Sequence, residues 1–337
     1  MVVIGQVLWY NNIIKTIRRI PQYKMNKAEF TYLSSDKVTS IHALRWEPAQ
    51  EAIGVVQIAH GMVEYADRYD LFAQFLTETG FVVTANDHLG HGASVTGQEQ
   101  WGYFAEKDGA GCVLQDMHKL TRLTKEAYPN IPYFLFGHSM GSFLSRRYLC
   151  LYGKELAGAV ICGTGYQSPV MLAAGKMITK IIAAIKGWKH RSRFVDALAF
   201  GGFNRAYEPS ETHKEWLSRD PETIQANLAD PRCNFMFTLN GYYALFENIA
   251  LSQNKSQLIN MPKTLPVLFI AGDDDPVGHR GKDITKVVDR FKKAGMEKVD
   301  VILYKDFRHE ILNEIGKEQV YEDVASWLAD RMVDKFS

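Results

Sequence analysis

The sequence predicts an α/β fold: a mostly parallel sheet with helices on both faces and a helical cap inserted ahead of its last strands. Three observations predict it. Short apolar runs alternate with stretches of helical spacing through most of the chain, the pattern of a sheet buried on both sides. An apolar run beginning at Tyr133 turns through a glycine-flanked serine directly into a helical pattern. The stretch from about Gly165 to Gln257 then breaks the alternation, and it is far longer than an ordinary connection between strands.

Taken in order, residues 1–24 carry Val3, Val7, Tyr10, Ile14 and Ile17 at helical spacing, with Lys15, Arg18 and Arg19 on the polar side and Pro21 as the stop. This predicts an amphipathic helix that either docks on its own domain or lies on a membrane surface. Its apolar run is too short for a signal peptide, and no small-residue cleavage site follows. The core is expected in 25–164 and 258–337. Glu29–Leu33 and Ser40–Trp46 read as two strands in an antiparallel start, and Gly54–Ala59 as a buried strand. Tyr69–Thr79 reads as a helix closed by Gly80, Phe81–Ala85 as a strand, and Gly109–Ala127 as a helix ended before Pro129. Ala157–Cys162, Pro266–Ala271 and Val299–Tyr304 are further strands, with helices at Ile284–Ala294 and Glu318–Val333.

The cap, 165–257, opens with a helix at Met171–Ile185, where Met171, Ala174, Ile178, Ile181, Ile182 and Ile185 share one face. It then becomes irregular and aromatic, from Phe194 through Phe203 and Trp216 to Phe246. Each such side chain is expected to pack within the cap. As a group they imply an apolar roof over the carboxyl ends of the strands, where α/β proteins bind ligands.

Bulk composition narrows the function classes. The chain has 337 residues, 46% of them hydrophobic and 23% charged, as in an ordinary soluble protein. With 39 basic and 38 acidic residues, no general electrostatic argument favours nucleic acid or an anionic membrane. Cys112, Cys150, Cys162 and Cys233 show no metal-ligand spacing and fit reduced thiols in a cytoplasmic protein.

The chemistry starts at Gly137-His138-Ser139-Met140-Gly141, a G-x-S-x-G sequence between a strand and a helix, which is the setting of a nucleophile elbow. A serine hydroxyl is a poor nucleophile at neutral pH and needs a base. In such elbows the triad runs in the order serine, acid, histidine. Of ten histidines only His279 and His309 follow the candidate acids. His279 lies too close to Asp275 to face both it and Ser139, so His309, just after the last strand, is the expected base. Asp275, in Gly272-Asp273-Asp274-Asp275-Pro276, is the expected acid, with Asp273 and Asp274 as turn residues. The oxyanion needs two backbone N–H donors. Met140, after the nucleophile, and Met62, in the loop after the Gly54–Ala59 strand, are the expected pair.

These motifs occur in a fixed order: His60-Gly61-x-x-Glu64, Asp87-His88-Leu89-Gly90-His91-Gly92-Ala93-Ser94, Gly137 to Gly141, Gly272-x-x-Asp275 and His309. The set resembles the monoacylglycerol lipase and lysophospholipase branch of the α/β-hydrolases, sometimes grouped as serine aminopeptidase-like, over about residues 28–335. One departure is visible: after His-Gly-x-x-Glu the family often has histidine, and this chain has Tyr65. That touches the pocket entrance, not the triad. The resemblance makes the 87–94 run, with its His88 and His91 pair, a structural turn and not a metal site, so no metal or cofactor is expected.

The resulting expectation is a serine hydrolase acting through an acyl-enzyme on small ester substrates with one acyl chain, such as monoacylglycerols or lysophospholipids, and not on nucleic acid. Residues 1–20 and the cap are the candidate membrane contacts. An amidase or aminopeptidase of the same fold is the alternative, and would need an acidic or polar feature to seat an amine. A ligand-binding protein on a hydrolase scaffold is the reading from another class. Substrate-contacting residues, acyl length, leaving group and oligomeric state are not legible in the sequence.

Overall fold

The computed structural model describes residues 26–333, so the amphipathic helix expected at 1–24 lies outside them. The sheet opens with β1 (Asn26–Leu33), β2 (Ser40–Glu47) and β3 (Gly54–Ala59), followed by α1 (Asp70–Glu78) and β4 (Phe81–Asn86). Next come α2 (Gly109–Ala127), β5 (Tyr133–His138), α3 (Met140–Tyr152) and β6 (Gly158–Cys162). The insertion carries α4 (Pro169–Lys186), α5 (Arg193–Phe200), α6 (Pro221–Ala229) and α7 (Leu239–Ser252), with a further helical turn at Lys255–Leu258. The chain closes with β7 (Val267–Gly272), α8 (Lys282–Lys293), β8 (Val299–Tyr304) and α9 (Lys317–Val333).

The strands form one sheet in the order β1-β2-β4-β3-β5-β6-β7-β8. β2 pairs antiparallel with both β1 and β4, and every pairing from β4 through β8 is parallel. Every residue of β3, β4, β5 and β7 is buried, which is why these strands are written as unbroken apolar runs. Their alternation divides the core in two. Val56, Ile58, Phe134, Phe136, Leu268 and Ile270 face Phe72 of α1 and Val324 and Leu328 of α9. Leu135, Ile161 and Phe269 face Met117 of α2, Leu144 of α3 and Phe291 of α8. Strand order reverses between β3 and β5, so a crevice opens at their carboxyl ends.

The insertion arches over that crevice, but its first helix is turned differently from the expectation. α4 buries Leu172, Gly175, Thr179 and Ala183. Met171, Met177, Ile181 and Ile185 are exposed, Ile185 at 80%. Small residues permit a close approach to α7: a Cβ on Gly175 would sit 3.2 Å from the Phe246 ring. Ile178 and Ile182 of the expected face still pack partly against the core, while Met171, Ile181 and Ile185 are displaced outward. The two ends of the insertion are joined by Gln253, whose side-chain amide bonds both the N–H and the carbonyl of Gln167. Tyr65 adds a tether from the core, its hydroxyl donating to Asp230 Oδ2 at 2.6 Å while Arg232 lies 3.8 Å over its ring.

The closest backbone approach is between α3 and β3, where a Cβ on Gly141 would overlap the Ala59 carbonyl oxygen. Gly141→Ala is expected to lower stability in urea denaturation by about 1–3 kcal/mol or more. Gly202→Ala, where nothing lies within 4 Å of the new Cβ, should change it by less than about 0.5 kcal/mol.

Candidate active site

Ser139 sits at the turn from β5 into α3 with φ 52° and ψ −117°. That conformation costs a non-glycine residue about 1–3 kcal/mol and persists only where its surroundings impose it. Here the Ser139 N–H donates to the Cys162 carbonyl on β6 at 3.0 Å. Side chains at Gly137 and Gly141 would collide with Ser145, the Gly141 carbonyl and Ala59. Both glycines are therefore required by space.

From this tip the Ser139 Oγ lies 2.9 Å from Nε2 of His309. Nδ1 of His309 lies 2.9 Å from Oδ2 of Asp275. Asp275 is wholly buried, and its other oxygen accepts the Val277 N–H at 2.9 Å. The neighbouring acids are engaged elsewhere: Asp273 accepts the Asp306 N–H, and Asp274 pairs with Arg280 at 3.0 Å. His279 is exposed and pairs with Asp283. Gly163 leaves room for the base, since a Cβ there would stand 3.2 Å from His309 Cε1. Met140 is the first residue of α3, so its N–H has no partner within the helix and points out of the positive helix end. Met62 follows β3, and both line the cavity at Ser139. Such a row can deprotonate a hydroxyl, and the two N–H groups can receive developing negative charge.

The cap is built into the base loop. His309 N–H donates to the Trp216 carbonyl at 3.3 Å and Glu310 N–H to the Leu217 carbonyl at 2.7 Å. Arg308 Nη1 reaches the carbonyls of Glu215 (2.6 Å) and Ser218 (3.1 Å), and the Trp216 ring lies 5.1 Å from that of His309. Sequence reasoning assigned Trp216 only to the aromatic cap and missed these contacts.

It also missed the charges beneath the site. Glu64 lies 3.1 Å from His138 Nδ1 and accepts from Arg68 at 3.1 Å. Burial alone would raise the Glu64 pKa, but the hydrogen bond and charge of His138, with Arg68, hold it far below the usual carboxylate range. Burial alone would lower the His138 pKa, but Glu64 holds it above its ordinary value. Glu64 stood in a motif without a role, and Arg68 gave no signal at all.

The 87–94 run forms a tight turn. Asp87 accepts the N–H groups of Ala66 and Ala93, both at 2.7 Å, and faces His42 Nδ1 at 2.9 Å. His88 packs tilted and His91 edge-on against the His60 ring, and burial pulls the His91 pKa down to about 3. Among the described residues no group of His, Cys, Asp and Glu is placed to hold a metal ion.

Two cavities meet at Ser139 and share Met62, Phe200 and Trp216. One, of about 120 Å³, is apolar and lined by Phe143, Leu172, Leu245, Phe246 and Ile249. Its wall includes Met171 and Leu198, which are 56% and 42% exposed, so it opens onto the outer surface of the cap. The other, of about 590 Å³, is mixed: Asn204, Lys214, Asn227, Asn234 and His309 line it together with Phe200, Trp216, Phe235 and Met236. Lys214 Nζ is held by Asn227 Oδ1, Asn234 Oδ1 and the Cys233 carbonyl, and burial lowers its pKa to about 8.

Comparison with known proteins identifies the family and the fold. The family described as serine aminopeptidase, S33, matches residues 50–316. A monoacylglycerol lipase of Mycolicibacterium smegmatis is 29% identical over 295 residues, covering 85% of this chain and 92% of that protein. A thermostable carboxyl esterase from Bacillus coagulans superposes with TM-score 0.85 at 29% identity, covering 92% of this chain and all of that one. A soluble variant of a Saccharomyces cerevisiae monoglyceride lipase shares the fold at TM-score 0.71 and 17% identity, over 92% of this chain and 97% of its own. The α/β-hydrolase fold is thus the fold of this chain.

The Glu64–His138 pair makes stability depend on pH. A depressed carboxylate stabilises fully above its ordinary value of 4.5, and that contribution is lost as pH falls. A raised imidazole stabilises fully below its ordinary value of 6.5, and its contribution is lost as pH rises through the folded value. The Tm gap between wild type and Glu64→Gln should therefore be widest at about pH 5–6 and narrow toward about pH 4 and pH 9. A gap that is flat with pH would show that the pair adds no stability.

Proposed function

The chain belongs to the serine aminopeptidase, S33, family of α/β-hydrolases, and on that footing we propose that it hydrolyses carboxylic esters of a single acyl chain, monoacylglycerols and related lipids foremost. The observation that carries this reading is the meeting, at one hydrogen-bonded serine, of an apolar cavity and a larger one that adds Asn204, Lys214, Asn227 and Asn234 to an aromatic wall. The acyl chain occupies the apolar cavity and the alcohol the larger, mixed one, with the ester carbonyl at Ser139. Ser139 Oγ attacks that carbonyl as His309 Nε2 takes its proton. Asp275 holds the imidazole in the right tautomer and stabilises its charged form. The Met62 and Met140 N–H groups bind the oxyanion. His309 then gives the proton to the leaving alcohol, and water repeats the sequence to release the acid. No step needs a metal or cofactor.

The cap supports a lipid surface as the source of substrate. Val170, Met177, Ile181 and Ile185 recur on one exposed face of α4, and Phe194, Lys180, Lys186 and Lys189 are exposed in the same part of the cap sequence. Each large apolar side chain gains about 1.5–3 kcal/mol when buried. Each lysine near an anionic leaflet adds about 1 kcal/mol. Among the described residues no helix is long and apolar enough to cross a membrane.

Ser139→Ala should lower kcat on p-nitrophenyl esters by about 10⁴–10⁶-fold, and Asp275→Asn by about 10⁴-fold. Across acyl chains from acetate to palmitate, activity should peak at medium or long chains. A preference for acetate would leave only a small-ester esterase, and faster release of p-nitroaniline from aminoacyl anilides would favour the aminopeptidase reading. In a second assay, Met177→Asp/Ile181→Asp/Ile185→Asp should abolish co-sedimentation with phosphatidylcholine–phosphatidylserine vesicles. Hydrolysis of p-nitrophenyl butyrate should stay within about twofold. Undiminished sedimentation would remove the cap as the membrane contact.

A further inference from the structure

Glu64 is bonded directly to the oxyanion loop and to the elbow, and through Arg68 to the loop of the base. Its Oε1 accepts the Gly61 N–H in the loop leading to Met62, and the Tyr69 hydroxyl at 2.8 Å. The same oxygen lies 3.1 Å from Nδ1 of His138, the residue before the nucleophile. Its Oε2 accepts from Arg68 Nη1, and that guanidinium forms a two-pronged pair with Glu310 at 3.0 and 2.7 Å. Glu310 directly follows the base. His138 completes the circuit, with Nε2 3.4 Å from the His309 carbonyl and its ring 4.9 Å from the His309 ring. Glu64, His138 and Glu310 are all buried.

Resting on the serine-hydrolase reading above, we propose that Glu64 is a positioning residue, whose charge fixes the oxyanion loop, the elbow and the base loop relative to one another. Two further features fit that role. A Cβ on Gly61 would overlap Glu64 Oε1, so the loop is shaped to admit the carboxylate. Val63 has φ 55°, an outlier for a β-branched residue, in the segment that the Gly61–Glu64 bond closes. Buried ion networks seldom add stability over apolar side chains of equal volume. An order tight enough for reacting atoms to meet is a different matter, since a displacement of about 1 Å can cost 10²-fold in rate.

The test is Glu64→Gln, which keeps the shape and the acceptor for Gly61 but removes the charge. Active sites are counted by fluorophosphonate titration, so that kcat is expressed per competent serine. The expected result is a per-site kcat lower by about 10- to 100-fold, with KM for p-nitrophenyl butyrate within about threefold. Affinity for a short alkylboronic acid, which forms a tetrahedral adduct on the serine, should fall in parallel with kcat. A merely structural role would lower Tm and the titratable fraction but leave per-site kcat and boronate affinity unchanged, and that result would overturn the proposal. If Glu64→Gln does not yield folded protein, Arg68→Met/Glu310→Gln removes the other end as a pair. That variant should lose about fivefold or more in per-site kcat, and a wild-type value would equally overturn it. Ser139→Ala in the same assay separates the two levels, because turnover surviving there sinks the serine mechanism itself.

Discussion

The site depends on a backbone conformation that Ser139 does not choose. With φ at 52° the serine is lifted clear of the sheet edge, and its hydroxyl meets an imidazole delivered from a loop 170 residues later. The strain is sustained by neighbours on three sides: the Cys162 carbonyl on β6, the side chain of Ser145 against Gly137, and Ala59 of β3 against Gly141. Two of these belong to the central parallel strands, and Ser145 to the helix that the nucleophile opens. The sheet is therefore not a passive platform, since its pairing at β3, β5 and β6 holds the nucleophile in place.

The same architecture explains what could be read from the residues and what could not. Strands buried on both faces are written as continuous apolar runs, so β3 through β7 and the turn between β5 and α3 were legible. Ser139, Asp275 and His309 could be chosen because chain order and position after a strand leave few candidates, and the structure brings these three together. α4 was misread for a physical reason. Hydrophobicity marks a face that avoids water, but not whether protein or another apolar phase covers it, and the packing face here is made of Leu172, Gly175, Thr179 and Ala183. Arg68 and Glu310 were invisible for another reason. A charged residue reads as a solvated one, and no spacing reveals a pair 242 positions apart.

Charge and polarity are sorted around the serine. The apolar cavity is walled by cap helices α4 and α7, with Phe143 of α3 beneath. The mixed cavity is walled largely by the irregular half of the cap, where Lys214 is held by neutral acceptors and not by a carboxylate. Under the proposed function a substrate with one oily and one hydrated end enters with its hydrated end toward these groups, because reversing it would strand polar groups without partners.

The pairing of 215–218 with the loop at 308–310 has a consequence for how such proteins diversify. Elsewhere among the described residues the insertion meets the core mainly through side chains, the Thr238 N–H to the Gly102 carbonyl being a further main-chain bond, and such parts can change to suit new substrates. The 215–218 segment is stitched to the base loop itself by main-chain bonds, which no substitution can retune residue by residue. It behaves as a piece of the catalytic core that happens to be encoded within the insertion. A chimera that transplants a foreign cap would have to keep Lys214 to Arg219 native, with only the helices on either side free to change.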